Sequence, residues 1–196
     1  MINKNDLIKS IFIFLICIPL SYIFYWFVSL RIINIVYYID TLPKGIFLYF
    51  CHIILFYFLT KVVFSIKLFN FEKIILILTY FIFLLLCFFD RVYIGERVIN
   101  LNPFDLINTI YNNGIIVLLL NIAVFCPFFT AIKWINKNIR PKIAFIIFFL
   151  FALSIEIIQF FTMSGIFDVI DIALYVIGYY LGYLIYRFVL FEGEYR

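Results

Sequence analysis

Six stretches of this chain are long and apolar enough to cross a membrane, and they dominate what it can fold into. They run over roughly Ser10–Leu30, Gly45–Ser65, Glu72–Phe89, Gly114–Trp134, Ile143–Phe161 and Asp168–Leu190. A spanning helix needs ~20 mainly apolar residues. It also satisfies its own backbone groups, which lipid cannot do. The runs are continuous blocks, not the ~10-residue alternating segments of an outer-membrane barrel, so helices are expected. Composition agrees: 67% of the 196 residues are hydrophobic and 13% charged. Soluble domains are about half apolar and about a quarter charged. The expectation is an all-α, polytopic membrane helical bundle of about six transmembrane helices. That makes it a multi-pass protein of the cell membrane in contact with the lipid bilayer.

Lysine and arginine set the expected orientation. The N-terminus, second loop, fourth loop and C-terminal end carry eleven of them, Lys61, Lys67 and Lys73 being assigned to the second loop. The first, third and fifth loops carry four: Arg31, Lys44, Arg91 and Arg97. Positive charge stays inside, so both termini are expected in the cytoplasm. The first run has no A-x-A-like exit after it and reads as a retained anchor. The net charge of +4 follows from this bias and calls for no nucleic-acid partner. Cys17, Cys51, Cys87 and Cys126 lie in four different runs without a C-x-x-C pair, so disulfides and zinc are not expected. His52 reads as a packing histidine, and nothing calls for a metal or cofactor.

Against this background the stretch Ser154–Gly182 is unusual. Glu156 and Gln159 are spaced i, i+3 and share one face of the fifth helix. A Ser164-Gly165 breaker follows, and Asp168 opens the sixth helix as its cap, with Asp171 one turn on. Asp168, Asp171, Tyr175, Gly178 and Gly182 form one stripe. Its Gly-x-x-x-Gly half suits close helix contact. The short turn leads us to expect the seam of this hairpin along that stripe, with the Glu156 face meeting Asp168 and Asp171. In the third loop, Asn102-Pro103 reads as a helix start with Asp105 in its first turn. A short interfacial helix is expected there, flanked by Arg91 and Arg97. Asn121 is polar at mid-span, and Pro127 should kink the fourth helix. Ionisable groups inside spans are functional candidates by default. The candidate ligand-binding set is Glu156, Gln159, Asp168, Asp171, Asn100, Arg97 and Arg91. Pro103, Phe104, Asn121, Pro127, Gly178 and Gly182 are expected in structural roles.

Four boxes in order give the chain a resemblance to a known family. They are NLNPF (Asn100–Phe104), NIAVFCPFF (Asn121–Phe129), SIEIIQ (Ser154–Gln159) and Asp168-x-x-Asp171 followed by Tyr175, Gly178 and Gly182. Their types and spacing resemble the VanZ-like bacterial membrane proteins, over about Asn100 to Arg187. Departures are Phe129 for a glycine, a serine closer to Glu156, Tyr175 for the usual asparagine, and Ile170 for a frequent third acid. The resemblance divides the chain into residues 1–90, an N-terminal three-helix membrane segment, and residues 91–190, the VanZ-like membrane domain. The first three helices match nothing in particular.

The resemblance implies a cell-envelope protein contributing to glycopeptide resistance of the teicoplanin type. On that basis the polar cluster is expected to bind an amphiphile or drug at the outer leaflet, the partner being a lipid-linked envelope precursor or a lipoglycopeptide. The alternative is an intramembrane enzyme on a lipid-linked substrate, with Glu156, Asp168 and Asp171 as acid–base or cation-binding groups. Catalytic motifs such as H-E-x-x-H and G-x-S-x-G are absent, which tilts the reading away from an enzyme.

Overall fold

The computed structural model describes residues 4–29, 42–89, 94–106 and 114–190. Six helices are found there: α1 (Lys4–Phe24), α2 (Leu42–Val63), α3 (Asn70–Phe89), α4 (Ile115–Ile135), α5 (Pro141–Thr162) and α6 (Val169–Ile185). Each of α1 and α6 runs on into a π-helical turn, Tyr25–Ser29 and Tyr186–Leu190. Among the described residues these six helices are long and apolar enough to cross a membrane. The protein is therefore a polytopic helical membrane protein. Two short strands, β1 (Ile99–Asn100) and β2 (Phe167–Asp168), pair in parallel, with Ile99 opposite Phe167 and Asn100 opposite Asp168.

The chain falls into two compact units, residues 1–83 and 84–196, divided within α3. In the first, α1 packs on α2. The Tyr49 hydroxyl donates to the Ile18 carbonyl at 2.9 Å, and Phe14 meets Tyr57 edge-on at 5.8 Å. His52 contacts the Leu48 carbonyl of its own helix through Nδ1 at 2.6 Å.

Lys61 departs from the expected pattern. It is not a loop charge: it lies in α2, fully buried, with its ammonium on both oxygens of Glu72 at 2.9 and 2.8 Å. Glu72 also accepts the Phe69 amide at 2.8 Å and the Tyr57 hydroxyl. The Phe69 contact is the reach-back of an N3 glutamate to the amide before its helix. The reason for burial is elementary: near lipid a lone ammonium is costly, whereas a paired and hydrogen-bonded one is tolerated. Without Lys61 the loop count is ten to four, and the bias keeps its sign.

In the second unit the glycine stripe does its work against α4. A Cβ at Gly178 would overlap the Ile122 carbonyl oxygen, and one at Gly182 the Cys126 carbonyl oxygen. The expected seam within the α5–α6 hairpin is thus corrected. The small residues fit backbone against backbone, and the helix that offers its backbone is α4. Beside this contact lies an aromatic core. Tyr175 sits 4.4 Å from Phe125 and 5.5 Å from Phe88, and Tyr179 stacks on Phe148 at 4.4 Å. Pro127 lies inside α4 and does not end it.

The α5–α6 turn brings the polar residues together. Met163 adopts a left-handed conformation at φ 54°. Its amide donates to the Phe160 carbonyl and the Ser164 amide to the Gln159 carbonyl at 3.1 Å, a Schellman closure. The third loop runs alongside: the Ile94 amide donates to the Met163 carbonyl at 2.8 Å, and the Phe167 amide to the Val98 carbonyl at 3.1 Å.

Candidate functional site

Glu156 is the hub of the site. It is fully buried in α5. One carboxyl oxygen, Oε2, accepts the Asp168 amide at 3.2 Å, and the other, Oε1, accepts the Tyr175 hydroxyl at 2.9 Å. A single side chain thereby holds both the start of α6 and its second turn. Three residues on, Gln159 is 1% exposed and donates from Nε2 to the Phe88 carbonyl at the end of α3, 2.9 Å away. Gly165 closes over it: a Cβ there would stand 3.2 Å from three Gln159 atoms.

Asp168 faces two ways. Its Oδ1 accepts the Ile170 amide at 2.8 Å, capping α6. Its Oδ2 accepts the Asn100 side-chain amide at 3.2 Å, across the β1–β2 pair. Asn100 in turn accepts the Asn102 amide through Oδ1 at 3.0 Å. Asn102 caps the next turn by accepting the Phe104 amide at 3.1 Å, and its side-chain amide donates to Asp105 at 3.0 Å. The helix start expected at Asn102-Pro103 is present in this capped turn, with Asp105 and Leu106 helical. The remainder of that expected helix, and Arg91, lie outside the described residues.

Asp171 reaches a helix outside the hairpin. Asn121 of α4 donates to its Oδ1 at 2.8 Å. The Glu156 face therefore meets Asp168 through a backbone amide, and meets α6 again at Tyr175, while Asp171 turns to α4. Arg97 is exposed, its guanidinium 5.8 Å over the Phe161 ring. So Glu156, Gln159, Asp168 and Asn100 form one connected region, with Asp171 and Asn121 as a neighbouring pair. Pro103 and Phe104 lie in the capped turn, both exposed.

Chemically the region divides by access. Glu156 and Gln159 have no surface to offer and act as anchors. Asn100, Asp168 and Asp171 are half-buried and Asn102 is exposed, so these present carboxylate and amide groups at the end of the second unit. Among the described residues no three His, Cys, Asp or Glu side chains converge as a metal-ligand group. The sequence places Tyr175 on the stripe and marks it as a departure from the family pattern, but does not count it among the candidate site residues. Its position on the polar stripe, one turn from Asp171, was the available signal that it joins the site. The β1–β2 pair gave no such signal.

The VanZ/LLP1 family matches residues 74–191, more than half of the chain. The chain belongs to that family. The matched region begins within α3, ahead of the first sequence box. It takes in every described residue of the polar site. Neither a curated protein nor a solved structure matches the chain at a significant level. In this VanZ-family protein Tyr175 stands where the family resemblance led us to expect asparagine, and its hydroxyl reaches Glu156.

Proposed function

We propose that this VanZ-family membrane protein contributes to resistance against teicoplanin-type glycopeptides by binding an amphiphile at the outer leaflet. The observation that supports this reading is the connected Glu156–Asp168–Asn100 network. It fixes a strand pair and a capped turn so that carboxylate and amide groups gather at one end of the second unit. In this reading Glu156 and Gln159 are positioning residues. Asn100, Asp168, Asp171 and Arg97 face the amphiphile, and Arg91, six residues before Arg97 in the sequence, is a further candidate. The lysine and arginine bias supports an orientation with both termini in the cytoplasm and this end of the spans at the outer leaflet. Carboxylates there suit the ammonium and hydroxyl groups of a lipid-linked envelope precursor or a lipoglycopeptide, and the arginines suit its anionic groups.

The test is equilibrium binding of a fluorescent teicoplanin-type lipoglycopeptide to the full chain in nanodiscs. Wild type binds, and Asp168→Asn at equal folded yield binds at least about tenfold more weakly, the loss of one charged contact. Equal binding by wild type and variant would remove Asp168 from the contact surface and the reading with it.

A further inference from the structure

A shallow groove runs beside the polar region. Its volume is about 310 Å³, and Ile99, Leu101, Ile157, Phe160, Phe161 and Phe167 line it with no polar surface. That is near the lower end of the ~300–1,000 Å³ usual for small-molecule sites. Its position along the span is informative. The 22 residues of α5 rise ~33 Å, against a hydrocarbon core of ~30 Å. Ile157, Phe160 and Phe161 lie in its last two turns, at the depth where acyl chains meet headgroups. Arg97 marks the rim, because Phe161 is both a wall of the groove and the ring beneath its guanidinium. Neither Arg97 nor its exposed neighbour Glu96 is part of the wall itself; Arg97 reaches the groove through Phe161.

We infer that this groove binds an anionic phospholipid, with an acyl chain along the apolar wall and the phosphate on Arg97. The inference rests on the amphiphile-binding reading above and names the class of amphiphile. Two features select the occupant. The wall offers nothing to a peptide, whose amides would face it without hydrogen-bond partners. The rim offers a planar fork of donors that pairs with phosphate oxygens two at a time. A zwitterionic lipid fills the groove equally well but brings its own cation against Arg97.

The experiment is native mass spectrometry of the purified full chain in detergent, titrated with phosphatidylglycerol or phosphatidylcholine and, as a control, inorganic phosphate. Phosphatidylglycerol is retained more strongly than phosphatidylcholine, and inorganic phosphate is not retained. Arg97→Gln lowers the phosphatidylglycerol preference about fivefold, the effect of one basic residue near a lipid surface. Ile157→Trp, which fills the groove from a lipid-facing position, lowers retention of both lipids. Arg187→Gln is the control, since Arg187 lies over Phe188 at 5.7 Å in the turn that follows α6 and has no place in the groove. It leaves retention unchanged. If Arg187→Gln matches Arg97→Gln, or if Ile157→Trp changes nothing, the lipid is held diffusely and the inference falls. The two readings separate cleanly. Loss of phosphatidylglycerol preference in wild type, with lipoglycopeptide binding still dependent on Asp168, overturns the groove alone. Arg97-dependent lipid retention without any Asp168 dependence overturns the amphiphile platform as first drawn.

Discussion

At the scale of single residues, Lys61, Glu72, Glu156, Gln159 and Tyr175 are each buried with a hydrogen-bond partner at hand. Tyr175 is the instructive case. It is fully buried, and its hydroxyl donates to Glu156. Tyr175→Phe keeps the ring contacts with Phe125 and Phe88 and removes that donor. Interhelical hydrogen bonds in membranes contribute about 0.6 kcal/mol on average and up to about 1.7. Thermal unfolding in detergent should show a loss within that range, with secondary structure intact. A larger loss would mean that the ring packing depends on the hydroxyl.

Lys61 and Glu72 make a stronger prediction. Removing one partner of a buried pair leaves an uncompensated charge and costs about 3–5 kcal/mol. Lys61→Met should therefore sharply lower the folded yield, and the double variant Lys61→Met/Glu72→Gln should recover most of it. Additive losses in that cycle would show the pair to be uncoupled. The sequence carries no sign of the Lys61–Glu72 pair and shows only the place of Tyr175 on the stripe, not its bond to Glu156. Lys61 sits at the edge of an apolar run, where a loop charge is the ordinary reading, and its partner lies beyond a turn. Tyr175 carries its function in a hydroxyl that composition counts as part of an aromatic residue.

At the scale of elements, the spans were legible because lipid imposes one rule on every helix: about 20 apolar residues, with backbone groups satisfied inside. Pairing between helices obeys no rule that sequence displays. Gly178 and Gly182 announce close contact but not the partner, and the partner is α4. The test compares glycines. Gly178→Ala and Gly182→Ala each place a methyl onto a carbonyl oxygen of α4, which is backbone and cannot give way. Gly165→Ala meets only the Gln159 side chain at 3.2 Å, which can shift by a few tenths of an ångström. Size-exclusion profiles of the solubilised protein should show the first two largely misfolded and the third near wild type. Two normal profiles for the helix glycines would contradict the α4–α6 contact. The strand pair β1–β2 escaped sequence reading for a physical reason: two residues are too few to show an alternation. What the sequence did show was the Asn102 cap, because an asparagine before a proline at a helix start has a local cause.

At the scale of the whole molecule, a VanZ/LLP1-family bundle carries a polar region that buried anchors hold in shape. Its candidate residues were legible as a group because charge inside a span is rare and each instance asks for a reason. Their division into anchors and presenting groups was not legible, since burial depends on which helices surround each side chain. The decisive experiment is teicoplanin susceptibility of a sensitive Gram-positive host expressing wild type, Asp168→Asn or Arg187→Gln at matched membrane abundance. If Asp168 faces the ligand, wild type and Arg187→Gln protect and Asp168→Asn does not. Equal protection by all three, or none by wild type, would contradict the proposed function.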